Sequence, residues 1–433
     1  MKLAIHGGPK VRDTLFPAYV TIGPEEKEAV NRVMDSGVLS RYLASWHVNF
    51  MGGCEVQALE AEWSAYFKVK HAVAVNSATS GLYCAVGATG IEPGEEIIVS
   101  PYTMCATATA PLIFNAVPVF ADVEHDHLCL DPASVEERIT PRTRAIIVVD
   151  LCGQPYDADA INAIARKHNL LVIEDTAQAP GAFHNGRPAG TLGDIGVFSL
   201  NYHKHIHCGE GGVIVTDNDE LADRCRMIRN HAEAVVEAKG VSNIANMVGF
   251  NFRMPELEAA ITRCQLSKLE DLVARRQENC AYLAKKLAQI PAVTPPSVRP
   301  GTTHAYYMQP FWFDQRRAGV HRDVFIEAVK AELSPFHLRE AEGVKIGCGL
   351  IRPLYLQPLF QKRIAYGSKG CPFTSPWSDT NVQYGKGLCP TVEKLHEDEV
   401  FVTELMQPQL TQSDLDDVAN AFFKVWEFRA ELK

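Results

Sequence analysis

Ala145-Ile-Ile-Val-Val149, a helical stretch from Ile161 to His168, and then Leu170-Leu-Val-Ile173 spell strand, helix, strand. Each strand is an unbroken apolar run rather than an alternating one. Such runs belong to strands buried on both faces, the habit of parallel sheets covered by helices. The pattern continues outward. His71-Ala-Val-Ala-Val75 precedes a helix that opens at Ser77-Ala-Thr-Ser-Gly81, and Glu96-Ile-Ile-Val99 and Val117-Pro-Val-Phe120 follow. Ile195-Gly-Val-Phe198 and Gly212-Val-Ile-Val-Thr216 close the set. The expected fold is α/β: a large, mostly parallel sheet domain over 1–275 and a smaller C-terminal α+β domain over 276–433. Residues 1–35 are free to pack on the smaller one.

The rest of the chain reads more coarsely. Glu256 to about Ile290 keeps helical apolar spacing, and Tyr306 to Phe313 reads as the first strand of the small lobe. Leu354 to Pro390 is rich in Pro, Gly and aromatics, which predicts a loop over a site or an interface. Ser413 to Glu427 reads as an amphipathic helix with Ser413 as its N-cap and Asp414, Asp416 and Asp417 in its first turn.

Bulk properties narrow the function classes. The 433 residues are 46% apolar and 22% charged, as expected for a globular chain, and the formal net charge is −10. No basic block appears, which argues against nucleic acid or a membrane surface as partner. No long uncharged apolar stretch suggests a membrane helix, and the first residues lack the apolar region of a signal peptide. The twelve cysteines are scattered with no C-x-x-C pair, so a reducing, cytoplasmic compartment is expected.

Three features together carry chemistry. Asp175 ends an apolar run, where α/β sheets place ligand contacts. Lys204 lies in Ser199-Leu-Asn-Tyr-His-Lys204-His-Ile-His-Cys-Gly-Glu-Gly-Gly212. Asn76-Ser-Ala-Thr-Ser-Gly81 is a strand-to-helix turn rich in small hydroxyls, suited to a phosphate dianion at a helix start. An acid for a pyridine nitrogen, an amine for an aldehyde and a phosphate cradle are what pyridoxal phosphate requires of a protein. Each alone has a plainer explanation: a helix-capping Asp, a surface Lys, a capping Ser or Thr. A competing reading uses His203, His205 and His207, which would share one face of a strand as metal ligands. The alternation puts Lys204 on the other face, and the expected metal content is none.

These residues, in this order, resemble the DegT/StrS-type family of pyridoxal phosphate-dependent sugar and cyclitol aminotransferases, which are fold-type-I enzymes. The resemblance also rests on Leu3-Ala-Ile-His-Gly-Gly-Pro-Lys-Val-Arg12, Asp150-Leu-Cys-Gly-Gln-Pro155, Glu174-Asp-Thr-Ala-Gln-Ala179, Gly193-Asp-Ile-Gly196, Gly249-Phe-Asn-Phe-Arg-Met254 and Pro390-Thr-Val-Glu-Lys-Leu395. It implies that Lys204 is the Schiff-base lysine and Asp175 the pyridine partner. Gln178 then lies beside the ring's 3′-oxygen, and Ala78, Thr79 and Ser199 hold the phosphate. Asn251 reaches the phosphate of the neighbouring subunit, which implies a homodimer. His304 and Arg253 fall where family members contact substrate. The family's ring-stacking aromatic is replaced here by Met104, with Tyr102 as the alternative. The implied reaction moves an amino group from glutamate or glutamine to a keto sugar or keto cyclitol, which some members use nucleotide-linked. Dehydratase relatives carry His in place of the lysine, so Lys204 favours transamination over the alternative, a dehydratase or lyase on the same fold. A non-catalytic cofactor-binding regulator is the reading from another class, and the acidic chain offers no basic helix for it.

Overall fold

The computed structural model describes residues 2–374, 376–378 and 382–432. Seven strands form the main sheet: β1 (His71–Val75), β2 (Glu96–Val99), β3 (Val117–Phe120), β4 (Thr143–Val149), β5 (Leu171–Asp175), β6 (Ile195–Ser199) and β7 (Gly212–Thr216). Their order is β1-β7-β6-β5-β4-β2-β3. The five strands from β3 to β6 run parallel; β7 is antiparallel to both β6 and β1. The apolar runs fill one core, in which Ile146, Ile147, Val148 and Ile173 are fully buried, because helices cover both faces.

Four shorter strands, β8 (Val293–Thr294), β9 (Gln309–Phe313), β10 (Ile346–Cys348) and β11 (Val400–Thr403), make an antiparallel sheet in the order β8-β9-β11-β10. Phe311, Phe325, Phe401 and Phe422 pack a second core on it.

The helices that frame the site or join the two sheets are α1 (Pro24–Ser36), α2 (Ala78–Ala88), α3 (Ala106–Ile113), α4 (Glu256–Leu266) and α5 (Leu269–Leu287). The expected single helix from Glu256 onward is broken at Ser267 and Lys268. The break occupies only two residues, so the apolar spacing runs through it. The expected division after residue 275 falls inside α5, which buries Leu269 and Val273 in one core and Leu283 and Leu287 in the other. The N-terminal segment is shared as well. Leu3 and Phe16 join the small core and Arg12 pairs with Asp414 at 2.7 Å, whereas Glu26 of α1 pairs with Lys268.

Two expectations gain detail. The stretch 354–390, of which Ser375 and 379–381 lie outside the described residues, is mostly turns, as a loop would be, but it packs on the large core. Tyr355, Phe360, Phe373 and Tyr384 are buried in the large core, and Phe360 and Tyr384 meet Phe120 of β3 edge to face. Its aromatics cover an edge strand. The last long helix, α6 (Gln412–Phe428), is capped by Thr411 rather than Ser413. Thr411 and Asp414 form a reciprocal capping box, with Asp414 Oδ2 accepting from Thr411 N at 2.8 Å.

Candidate active site

The candidate residues gather at the C-terminal ends of β5 and β6, where parallel sheets expose strand ends to ligands. Asp175 closes β5. Its Oδ2 accepts from Thr107 Oγ1 of α3 at 2.8 Å and its Oδ1 from Ala177 N at 3.2 Å. Burial pushes its pKa up, while the two donors and the Lys204 charge act against that rise.

Ser199 ends β6, and the chain then makes turns rather than a strand from Asn201 to Gly211. Lys204 is half-buried as a residue, but its ammonium is enclosed, which lowers its pKa to about 8 against the opposing pull of Asp175 and Glu404. Its Nζ lies 4.1 Å from the centre of the Tyr307 ring, a cation–π contact, and it has no salt bridge among the described residues. A lysine so placed is close to losing its proton at neutral pH.

Tyr307 was not legible as a site residue. It reaches Lys204 because the segment 305–308 docks on the loop after β4. Ala305 N donates to Gly153 O at 2.8 Å and Met308 N to Cys152 O at 3.3 Å. Gly153 has φ +107, and a Cβ there would stand 2.5 Å from Tyr306 N, so only glycine permits this approach. The same loop fixes Gln178, whose Oε1 accepts from Cys152 N at 2.8 Å. The only hint in the sequence is the aromatic pair that follows His304-Ala305.

Ala78 and Thr79 open α2. Ser77 caps the helix, its Oγ accepting from Ser80 N at 3.0 Å, and the N–H groups of Ala78 and Thr79 have no acceptor among the described residues. Gly212 of β7 lies against this turn, where a Cβ would meet Ala78 N at 2.7 Å, and it pairs with Ser199 across the sheet. Ala78, Thr79 and Ser199 are thus brought together.

The remaining expectations fare differently. Met104 stands at the start of α3 with 59% of its surface exposed, and its Sδ accepts from Ala106 N at 3.2 Å. Tyr102, the alternative stacking residue, is corrected: it is fully buried, its hydroxyl accepts from Leu350 N at 2.9 Å and its ring meets His396 edge on. His304 is also buried. Burial lowers its pKa to about 3, its neutral Nδ1 accepts from Tyr306 N and its ring stacks on Tyr306 at 3.9 Å. Tyr307, not His304, is the member of that segment beside Lys204. Asn251 is exposed, and its Oδ1 accepts from Arg253 Nε at 2.7 Å.

The three histidines diverge. His203 lies against the Tyr202 ring, His205 Nε2 bonds Ala305 O at 2.8 Å, and His207 Nε2 bonds Thr21 Oγ1 at 3.2 Å. Burial first, then the Arg276 charge, hold His205 neutral. No group of three or more His, Cys, Asp or Glu side chains that could hold a metal occurs among the described residues.

The donor set fits pyridoxal phosphate: two free helix-start N–H groups with a hydroxyl for a phosphate, a buried carboxylate for a ring nitrogen, and an enclosed amine of low pKa for an aldehyde. Among the described residues no helix is long and apolar enough to cross a membrane.

The model of the DegT/DnrJ/EryC1/StrS aminotransferase family matches residues 21–407. The chain is 35% identical over 358 residues to the spore coat polysaccharide biosynthesis protein SpsC of Bacillus subtilis (strain 168), covering 81% of this chain and 86% of that protein. It is 37% identical over 295 residues to dTDP-3-amino-3,4,6-trideoxy-alpha-D-glucose transaminase of Streptomyces venezuelae, covering 68% and 73%. The X-ray structure of the aminotransferase from Psychrobacter cryohalolentis superimposes with a TM-score of 0.79 at 27% identity, covering 96% of this chain and 99% of that one. The expected fold-type-I transferase architecture is therefore present, and the chain belongs to the DegT/DnrJ/EryC1/StrS aminotransferase family.

Proposed function

We propose that this aminotransferase uses pyridoxal phosphate and moves an amino group from glutamate or glutamine to a keto sugar or keto cyclitol, in aminosugar or aminocyclitol biosynthesis. The observation that carries the reading is the enclosed Lys204 amine, free of any salt bridge among the described residues, beside Tyr307 and within the field of the buried Asp175. The Streptomyces relative, a transaminase named for a dTDP-linked amino sugar, supports a nucleotide-linked acceptor as one form of the substrate.

Ala78, Thr79 and Ser199 would hold the phosphate, Asp175 the ring nitrogen, Gln178 the 3′-oxygen side and Met104 one ring face. When bound, the cofactor supplies an aldehyde for the amine and a ring that accepts the electrons released when a Cα–H bond breaks. The chain's own residues do the rest. Lys204 Nζ, with a pKa of about 8, is partly unprotonated at neutral pH. It serves first as nucleophile and then as the base that takes a proton from one carbon and returns it to another. Asp175, whose charged form Thr107 and Ala177 favour against burial, would hold a proton on the ring nitrogen and so keep the ring electron-poor. The Tyr307 ring covers Nζ and limits its access to water.

We infer a homodimer. Asn251 projects from a surface that also exposes Trp46, Val48, Ile244 and Val248. The segments are neighbours: Asn230 pairs with Asn251, and its Nδ2 donates to Leu43 O. An apolar patch of this kind suits a second copy of the chain. Asn251 would then complete the partner's phosphate site, with Arg253 beside it on the substrate side. His304 would support the substrate side from behind Tyr306.

The test is Lys204→Ala. Transfer of the amino group should fall by at least about 10³-fold, and borohydride should fix cofactor to the wild type but not to the variant. Transfer by the variant at the wild-type rate overturns the reading.

A further inference from the structure

Two of the three alternating histidines tie the Lys204 loop to the rest of the molecule. His207 bonds Thr21, and its backbone N donates to Gln265 Oε1 at 3.4 Å. His205 follows Lys204 directly and is fully buried. Its Nε2 lies 2.8 Å from Ala305 O; a carbonyl only accepts, so Nε2 carries the proton. Its Nδ1 has no partner among the described residues. The His205 ring centre lies 6.2 Å from that of Tyr307, the ring that covers the Lys204 amine. One side chain thus spans the two segments whose fit decides how that amine is covered.

His205 is itself held from outside the loop. Tyr19 Oη donates to His205 O at 2.5 Å. The Arg276 guanidinium lies 5.2 Å from the centre of the Tyr19 ring, and its Nη1 donates to Tyr306 O at 3.2 Å. The contacts close a circuit, Tyr19 to His205 to the 305–306 segment to Arg276 and back, across four separate stretches of chain. Burial and then the Arg276 charge keep His205 neutral; Lys204 and His304 are the other cationic or titratable groups acting on it. Asp175 and Glu404 are those acting on Lys204. A neutral imidazole locked in one tautomer serves as a strut rather than a proton carrier.

We propose that His205 is a positioning residue for the amino transfer: its hydrogen bond to Ala305 sets the Lys204 loop against the Tyr307 ring and so keeps water off Lys204 Nζ. The role rests on the reading of Lys204 as the reacting amine. Water solvates an ammonium better than a ring face does, so loosening this fit favours the protonated amine.

The test reads the amine in the full chain freed of cofactor. Lys204 is labelled with acetic anhydride across a pH series and its peptide quantified by mass spectrometry. Wild type should show a midpoint of about 8. His205→Leu, which removes the donor to Ala305, should raise the midpoint by about one pH unit and leave about tenfold less reactive amine at neutral pH. His205→Gln, whose amide can still donate to Ala305 O, should stay at the wild-type midpoint. Tyr307→Leu should raise it, and adding His205→Leu should raise it little further, since both open the same cover. Circular dichroism checks that each variant is folded. If His205→Leu is not, Tyr19→Phe decides, with a smaller rise expected from loss of the bond to His205 O. An unmoved midpoint in the deciding variant, a midpoint for His205→Gln as high as for His205→Leu, or shifts that add in the double variant overturn the proposal. Borohydride treatment of the cofactor-loaded wild type is read separately. Failure to trap cofactor, with the midpoints as expected, supports the positioning and overturns the proposed function alone.

Discussion

The ends of β5 and β6 and the edge of the small sheet handle charge in opposite ways. On the large sheet Asp175 and Lys204 are enclosed, neither has a salt bridge among the described residues, and burial shifts the pKa of each toward its neutral form. On the small sheet Arg339, Glu342, Lys345 and Glu404 are partly exposed and every charge has a partner within 3.4 Å. An amine that must gain and lose a proton, as proposed for Lys204, gains from being left without an ion pair in a low dielectric. Groups that exchange no proton do better as a balanced network. The contrast separates a site whose ionisable groups are left without ion pairs from a surface network whose charges are all paired.

The largest effect should come from the site. Asp175→Ala should lower amino-group transfer by about 10²–10⁴-fold, with the folded state unchanged by circular dichroism; a loss under threefold would break the contrast. Chains carrying Lys204→Ala and Asn251→Ala, when co-purified as mixed dimers, should recover activity that neither parent dimer has, because one site in each mixed dimer is intact. No recovery would place Asn251 outside the shared site.

Next comes Thr107→Val, which removes the hydroxyl bonded to Asp175. A hydrogen bond to a charged group is worth about 1.5–3 kcal/mol, so the Asp175 pKa should rise further and activity should fall most at the acid end of the pH profile. A uniform loss at all pH values would mean that Thr107 only packs.

A smaller effect links the two regions. Loading of cofactor-free protein needs the unprotonated Lys204 amine, so its rate should climb with pH and level off above about 8. The Glu404 carboxylate favours the protonated form, so Glu404→Gln should move the midpoint to lower pH. A midpoint that stays in place would uncouple the two regions. The smallest effect is structural: Thr411→Ala removes a helix cap and should cost about 1 kcal/mol of stability, read as a lower Tm.

Much of this was legible in the chain itself. The strands of the main sheet were readable because short, largely apolar runs of four or five residues between helical stretches leave few alternatives. Asp175, Lys204 and the 76–81 turn were readable because their chemistry is local: a strand end, a turn and a helix start each sit within a few residues. The misplacements have the same origin seen from the other side. Ser413 and Thr411 are both good caps, and only the geometry of Asp414 chooses between them. The Pro- and aromatic-rich stretch is mostly turns, as its composition implies, but nothing local says that Phe120 needs its cover.

The order of residues alone determined the α/β sheet and which lysine, acid and strand-to-helix turn stand as site candidates, since each follows from short-range periodicity and residue type. Folding alone decided what surrounds them: Thr107 against Asp175 and Tyr307 over Lys204, brought together over separations of roughly 70 to 100 residues. Such contacts depend on how strands and loops dock, as at Gly153 against Tyr306, and no local pattern in a chain encodes that distance.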